Sequence, residues 1–142
     1  MKRNIALFVM LIFGEFAAAQ GRCPIVFSSL TVAPNSQNVN TIDVMYRNAS
    51  NKNIRSVRFA IATIDAFGEV NESQAITFEN AEVYAKPGEV KEEYRPGWPP
   101  PSLNSAGEFH LIKSKIWLQK LMFVDGSIWQ DNGSHACSLT NR

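Results

Sequence analysis

Between Val57 and Ala62 the chain alternates strictly, with Val57, Phe59 and Ile61 set against Arg58, Ala60 and Ala62. A period of two describes a strand with one buried face, and it is incompatible with an amphipathic helix, which repeats every 3.6 residues or about so. Ile42, Val44 and Tyr46 alternate with Asp43, Met45 and Arg47 in the same way. Other short runs rich in Val, Ile, Phe and Tyr recur between turn signals, and no helical period extends beyond two turns. The expected fold class is all-β, an antiparallel β sandwich filling one domain.

The turns divide the remaining strands. A first run, Pro24 to Val32, stops at Pro34 and the polar loop 35–40. Phe67 and Gly68 turn the chain, Ala75 to Phe78 reads as a short strand, and Pro87-Gly88 suits the centre of a type II turn. From Pro96 to Pro101 the chain reads Pro-Gly-Trp-Pro-Pro-Pro, which is expected to form an extended loop outside any ladder. Asp125-Gly126 between apolar runs predicts a two-residue hairpin turn, pairing Val124 with Ser127, Phe123 with Ile128 and Met122 with Trp129. One face of that ribbon then carries Trp117, Leu121, Phe123 and Ile128. The other carries Ile116, Leu118, Met122, Val124 and Trp129, and it needs a cover, either the Trp98 loop or a partner. A bulge near Lys120 would invert this alternation beyond it.

The N-terminus sets Lys2 and Arg3 before an apolar run from Ile5 to Phe13 and the small residues Ala17, Ala18 and Ala19. That order reads as a secretory signal peptide over residues 1–19, followed by one domain over 20–142. Removing the signal takes away Lys2, Arg3 and Glu15, so 14 basic and 13 acidic residues become 12 of each. A balanced charge without basic runs argues against nucleic acid as a partner. The mature chain has no apolar stretch long enough for a membrane span. The two cysteines, Cys23 and Cys137, lie near the ends of the mature chain and are expected to pair in a periplasmic or secreted, oxidising setting.

Catalytic patterns are weak. His110 and His135 have no second histidine at metal-ligand spacing, no Gly-x-Ser-x-Gly elbow surrounds a serine, and Glu92 and Glu93 as strand neighbours point to opposite faces. Asp125, Asp131 and Asn132 could gather around calcium, but turn chemistry explains them better. Asn48-Ala49-Ser50, Asn71-Glu72-Ser73 and Asn132-Gly133-Ser134 match the glycosylation triplet. No catalytic residue, cofactor or metal ligand is expected.

Tyr46-Arg47-Asn48-Ala49-Ser50, Asn53-Ile54, Val57-Arg58-Phe59-Ala60 and Ile64-Asp65-Ala66-Phe67-Gly68-Glu69-Val70 follow one another along the chain. This succession resembles the bacterial extracytoplasmic Ig-like domains of the FxLYD type and their uncharacterised relatives. Those domains carry Asn-x-Ser after one strand, then a hydrophobic strand, then Asp, two residues and Gly. Lys86-Pro87-Gly88-Glu89 and Phe123-Val124-Asp125-Gly126-Ser127 are similar to their later turns. Ile64 stands where those domains have Tyr before the Asp, and the Trp-Pro loop and the terminal cysteines are additions. The resemblance implies an Ig-like sandwich of about seven strands and a cell-envelope or secreted setting, and it transfers no catalytic residue.

The function expected on these grounds is an exported non-enzymatic binding or structural module whose partner is a protein or an envelope component. Trp98, Trp129, Met122 and Leu118 are its candidate binding residues. The alternative is a small secreted hydrolase or an inhibitor of one, which would gather His110 or His135 with carboxylates in a pocket.

Overall fold

The computed structural model describes residues 22–34, 39–71, 73–97 and 113–141; the signal segment, Gln20, Trp98 and His110 lie outside them. Among the described residues eight strands follow in order: β1 Ile25–Pro34, β2 Asn40–Asn48, β3 Ile54–Thr63, β4 Gln74–Glu79, β5 Val90–Pro96, β6 Ser114–Phe123, β7 Ile128–Gln130 and β8 Ser138–Thr140. They form two antiparallel sheets, β1-β2-β5 and β4-β3-β6-β7, with β8 also on β6. Since β3 occupies one edge of β6, β7 and β8 lie end to end along the other, as one strand interrupted by the loop Asp131 to Cys137. With β1, β2 and β5 as A, B and E, and β4, β3, β6 and the β7–β8 pair as C′, C, F and G, the order is that of an Ig-like sandwich without strand D.

The core is the space between the sheets. The alternating sets supply it: Ile42, Val44 and Tyr46 from β2 face Val57, Phe59 and Ile61 from β3, all at most 2 % exposed. The Phe59 ring meets Tyr46 at 5.1 Å, Phe27 at 5.4 Å and Phe78 at 6.1 Å between centres, in tilted or edge-on geometries that aromatic quadrupoles favour. A disulfide joins Cys23 to Cys137, with Cα atoms 5.5 Å apart, and closes the two ends of the domain on each other. Such a bond points to an oxidising compartment.

Three turns of the resembling motifs have clear physical causes. Asn48 is fully buried and uses its whole amide: Nδ2 donates to Lys52 O and Ala85 O at 2.9 and 3.3 Å, and Oδ1 accepts from Ser50 N and Ser50 Oγ at 3.0 and 2.7 Å. The triplet at Asn48 is therefore a structural pin, and its amide is closed to glycosylation in the folded chain. Asp65 Oδ1 accepts from Phe67 N and Glu69 N, while Gly68 takes the positive φ of 84° that closes the turn. Glu89 N donates to Lys86 O and Gly88 has φ 78°, the geometry expected of a type II turn at Pro87-Gly88.

Three expectations are corrected. Pro96 belongs to the β2–β5 ladder, opposite Thr41, and not to the expected loop, whose residues from Trp98 to Pro101 lie outside the described residues. Pro96 can close the ladder because β5 is an edge strand, where a missing N–H costs little. The final hairpin is also one residue longer than a two-residue turn. Gly126 N donates to Phe123 O and Phe123 N to Ser127 O, so Val124, Asp125 and Gly126 form a three-residue loop with Gly126 at φ 85°. Pairing is consequently Met122 with Ile128 and Leu121 with Trp129. Val124 is held out of the ladder by its N–H, which donates to Asn53 O, and Lys52 Nζ meets Asp125 Oδ2 at 2.8 Å.

A bulge in β6 reassigns the faces. Arg58 pairs with Lys120 and Phe59 with Leu118, leaving Gln119 as the additional residue. Ile116, Leu118 and Leu121 therefore all reach the core, with Phe123 and Trp129 packed against it, whereas Trp117 and Met122 fall on the outer side. The even alternation expected of this strand had placed Trp117 on the core face and Ile116 and Leu118 on the other, and the expected two-residue turn had exchanged Ile128 and Trp129.

Edge strand β5 turns charged side chains inward. Lys91, Glu93 and Arg95 stand opposite Tyr46, Val44 and Ile42. Arg95 lies over the Phe78 ring at 5.2 Å and Lys91 over Tyr84 at 4.8 Å, closing the seam between the sheets. Tyr46 Oη donates to Tyr84 Oη at 2.7 Å, and Tyr84 Oη donates to Glu93. Inward charges of this kind also discourage edge-to-edge pairing with another chain.

Candidate functional site

The outer face of the five-stranded sheet gathers side chains that the core does not use. Alternation along β3 directs Arg58, Ala60 and Ala62 away from Phe59 and Ile61. Ala60 stands opposite Trp117, and with Ala62 it forms a cluster under the indole. Such small neighbours leave room for the ring against the sheet. His135 supplies the outer cover: its imidazole stacks on the indole with centres 4.3 Å apart and planes 19° from parallel.

The loop between β7 and β8 delivers that imidazole. Asp131 N donates to Gln119 O and Leu118 N to Cys137 O, both at 2.9 Å, which anchors the loop at its two ends. Between them Asp131 Oδ2 accepts from Gly133 N at 3.0 Å and His135 N at 3.3 Å. His135 sits at φ 53°, the one non-glycine among the described residues in the left-handed region.

The β6 bulge supplies the other half of the site. It brings Lys120 opposite Arg58, at a spacing of about 5 Å between Cβ atoms in such pairs, where like charges repel. Arg58 Nε donates to Thr77 Oγ1 at 3.3 Å. The ion pairs among the described residues, Lys52 with Asp125 and Lys91 with Glu89, include neither cation of this pair. Arg58 and Lys120 form the shared wall of two open depressions. One, about 590 Å³, extends to Arg55, Glu79, Asn80 and Met122; the other, about 680 Å³, extends to Asn71, Gln119, Gln130 and the Trp117–His135 stack.

No family model and no curated protein matches this chain. Its fold is similar to that of a hypothetical protein from Peptoclostridium difficile 630, seen in a 1.85 Å X-ray structure. The TM-score is 0.57, the identity 11 %, and the match covers 79 % of this chain and 88 % of the other. At that identity the likeness shows the fold alone.

The residues singled out from the sequence are dispersed by the fold. Leu118 is fully buried and Trp129 packs against the core, so neither offers a ligand much surface. Met122 lies on the outer face beside half-exposed Ile128, and Trp98 lies outside the described residues. Asp125 is held by Lys52 while Asp131 closes its own loop, and no group of three or more His, Cys, Asp or Glu among the described residues could hold a metal. Glu92 and Glu93 do point to opposite faces, with Glu93 engaged by Tyr84.

The strongest electrostatic perturbations are structural. Burial pushes both Tyr46 and Tyr84 well above the ordinary phenol range. Hydrogen bonds from Lys52, then Ser127, hold the Asp125 carboxyl well below the usual carboxylate range. Sequence reasoning missed the Arg58–Lys120 opposition and the Trp117–His135 stack. The first depends on a bulge and the second on a left-handed residue, and neither has a local sequence signature.

Proposed function

We propose that this chain is an exported, non-enzymatic binding module that acts outside the cytoplasm and takes its ligand on the outer face of the five-stranded sheet. The observation that carries the proposal is the Arg58–Lys120 opposition between two open depressions. Like charges set opposite each other cost stability, and a ligand of complementary charge would relieve that cost. The Cys23–Cys137 bond, the signal-type N-terminus and the resemblance to FxLYD-type domains support the extracytoplasmic setting. For the binding role, His135 is committed to a stack rather than to a carboxylate.

Two blocking substitutions test the face. Ala75, exposed and opposite Ala60, lies on the outer face of the larger sheet; Thr31, exposed and opposite Asp43, lies on that of the smaller one. Material bound from the native extracytoplasmic fraction is expected to be lost in Ala75→Trp and retained in Thr31→Trp. The reverse pattern would overturn the choice of face, and turnover of the bound material would overturn the non-enzymatic assignment. The intact mass of the exported protein is expected to begin at Gln20, and retention of residues 1–19 would overturn export by this signal.

A further inference from the structure

We infer that the ligand of this face is an anionic oligosaccharide, one acidic group of which seats between Arg58 and Lys120 while its hydroxyl-rich neighbouring units extend into the two flanking depressions. The inference rests on the proposed binding face and adds the chemistry of its occupant.

The charge at the centre sets the first condition. Arg58 offers a planar fork of donors suited to the two oxygens of a carboxylate, sulfate or phosphate, and Lys120 adds a mobile point charge across the ladder. Of the acids lining the depressions, Asp131 is occupied by the N–H groups of Gly133 and His135, and Glu79, diagonal to Arg58 across the β3–β4 ladder, makes no ion pair with it and shares its depression with Arg55. The positive charge is thus concentrated where the two depressions meet.

The walls set the second condition. Away from the cations they are rich in amides and hydroxyls: Asn80 and Thr77 on one side, and Asn71, Ser73, Gln119 and Gln130 on the other. Such groups both donate and accept, which suits a hydroxyl-rich ligand. A protein partner would call for a cluster of aromatic or aliphatic anchors, but here they are split, with Met122 in one depression beside half-exposed Ile128 and Val70 in the other, and the indole is 6 % exposed beneath His135. The site also lies on a sheet face, where the ladders use the backbone groups, so an added peptide strand would gain no main-chain bonds there.

Titration of the whole mature chain tests this with three probes: an oligogalacturonate as carboxylated oligosaccharide, a neutral oligosaccharide of equal length, and poly-glutamate. The oligogalacturonate is expected to bind at least tenfold more tightly than either of the others, and more weakly as salt rises. Arg58→Gln and Lys120→Gln are each expected to weaken it tenfold or more, with melting temperatures unchanged or raised because each removes the repulsion. Unchanged affinity in both variants, or poly-glutamate binding as tightly as the sugar acid, would overturn the inference. Neutral-sugar binding of equal strength, abolished by Ala75→Trp, would overturn the anionic assignment and leave the face standing. Sugar-acid binding that survives Ala75→Trp would overturn the face and the inference together.

Discussion

The His135 imidazole covers the Trp117 indole at 4.3 Å, and the backbone of His135 holds φ 53° to do so. His135→Ala loses the stack and keeps the unfavourable backbone, whereas His135→Gly loses the stack and relieves the backbone. Chemical denaturation is expected to rank the variants wild type, then Gly, then Ala, with Ala about 1 to 2 kcal/mol below wild type. An Ala variant more stable than the Gly variant would show that the loop relaxes out of the left-handed region.

The three-residue turn from Val124 to Gly126 pairs Trp129 with Leu121, which makes it a core residue, and Ile128 with Met122, which makes it a surface one. Trp129→Ala is expected to destabilise the chain by about 3 to 5 kcal/mol, and Ile128→Ser by no more than roughly 0.5 kcal/mol. Trp129 Nε1 is buried without a hydrogen-bond partner among the described residues, so Trp129→Phe forfeits packing volume and no hydrogen bond. It should fall between the other two. A costly Ile128→Ser with a harmless Trp129→Ala would restore the two-residue turn.

Asn48 satisfies two carbonyls, those of Lys52 and Ala85, with a single side chain. Asn48→Ala leaves both without that donor and should cost about 3 kcal/mol by denaturant melts. Asn48→Asp replaces the donor with an acceptor facing those same carbonyls and should cost more.

Two titrations change stability in opposite pH ranges. Tyr46 and Tyr84 have raised folded-state pKa values, so the stability linked to them is present in full below the unfolded phenol value of about 10 and is lost as pH climbs above it. In a Tyr94→Phe background the phenolate absorbance reports these two alone, and it should appear together with unfolding. For Asp125 the folded value is lowered, so its contribution is present above the usual carboxylate value of about 4 and disappears as pH falls through the lowered one. Asp125→Asn should lower the melting temperature slightly at neutral pH and have no effect at the acid end.

Reducing the Cys23–Cys137 bond should lower the melting temperature while leaving the strand content intact, since the core residues come from four strands. A bond spanning 114 residues constrains the unfolded chain by up to about 4.7 kcal/mol in the chain-entropy model. Loss of the β-type circular dichroism on reduction would show that the core cannot hold the fold unaided.

The fold class was legible because Val57, Phe59 and Ile61, like Ile42, Val44 and Tyr46, repeat with a period that one buried strand face imposes on its own sequence. The turns at Pro87-Gly88 and Phe67-Gly68 were legible for a related reason: positive φ selects glycine, so backbone geometry leaves a residue-level trace. β5 was not delimited from the sequence, because Lys91, Glu93 and Arg95 point inward against the usual polarity and find their place through Tyr84, Phe78 and Thr77.

The local chain thus determined most of the strands, the class of most turns and the cysteine pairing, all of which follow from the chemistry of neighbouring residues or from having two thiols alone. The face of each side chain beyond Leu118, the opposition of Arg58 and Lys120 and the cover on Trp117 were decided by the tertiary structure. A bulge is a compromise between two strands: the ladder from β3 absorbs Gln119 so that both Leu118 and Leu121 can reach one core. Nothing within β6 states that compromise, because its reason lies in the shape of the space that the other sheet leaves to be filled.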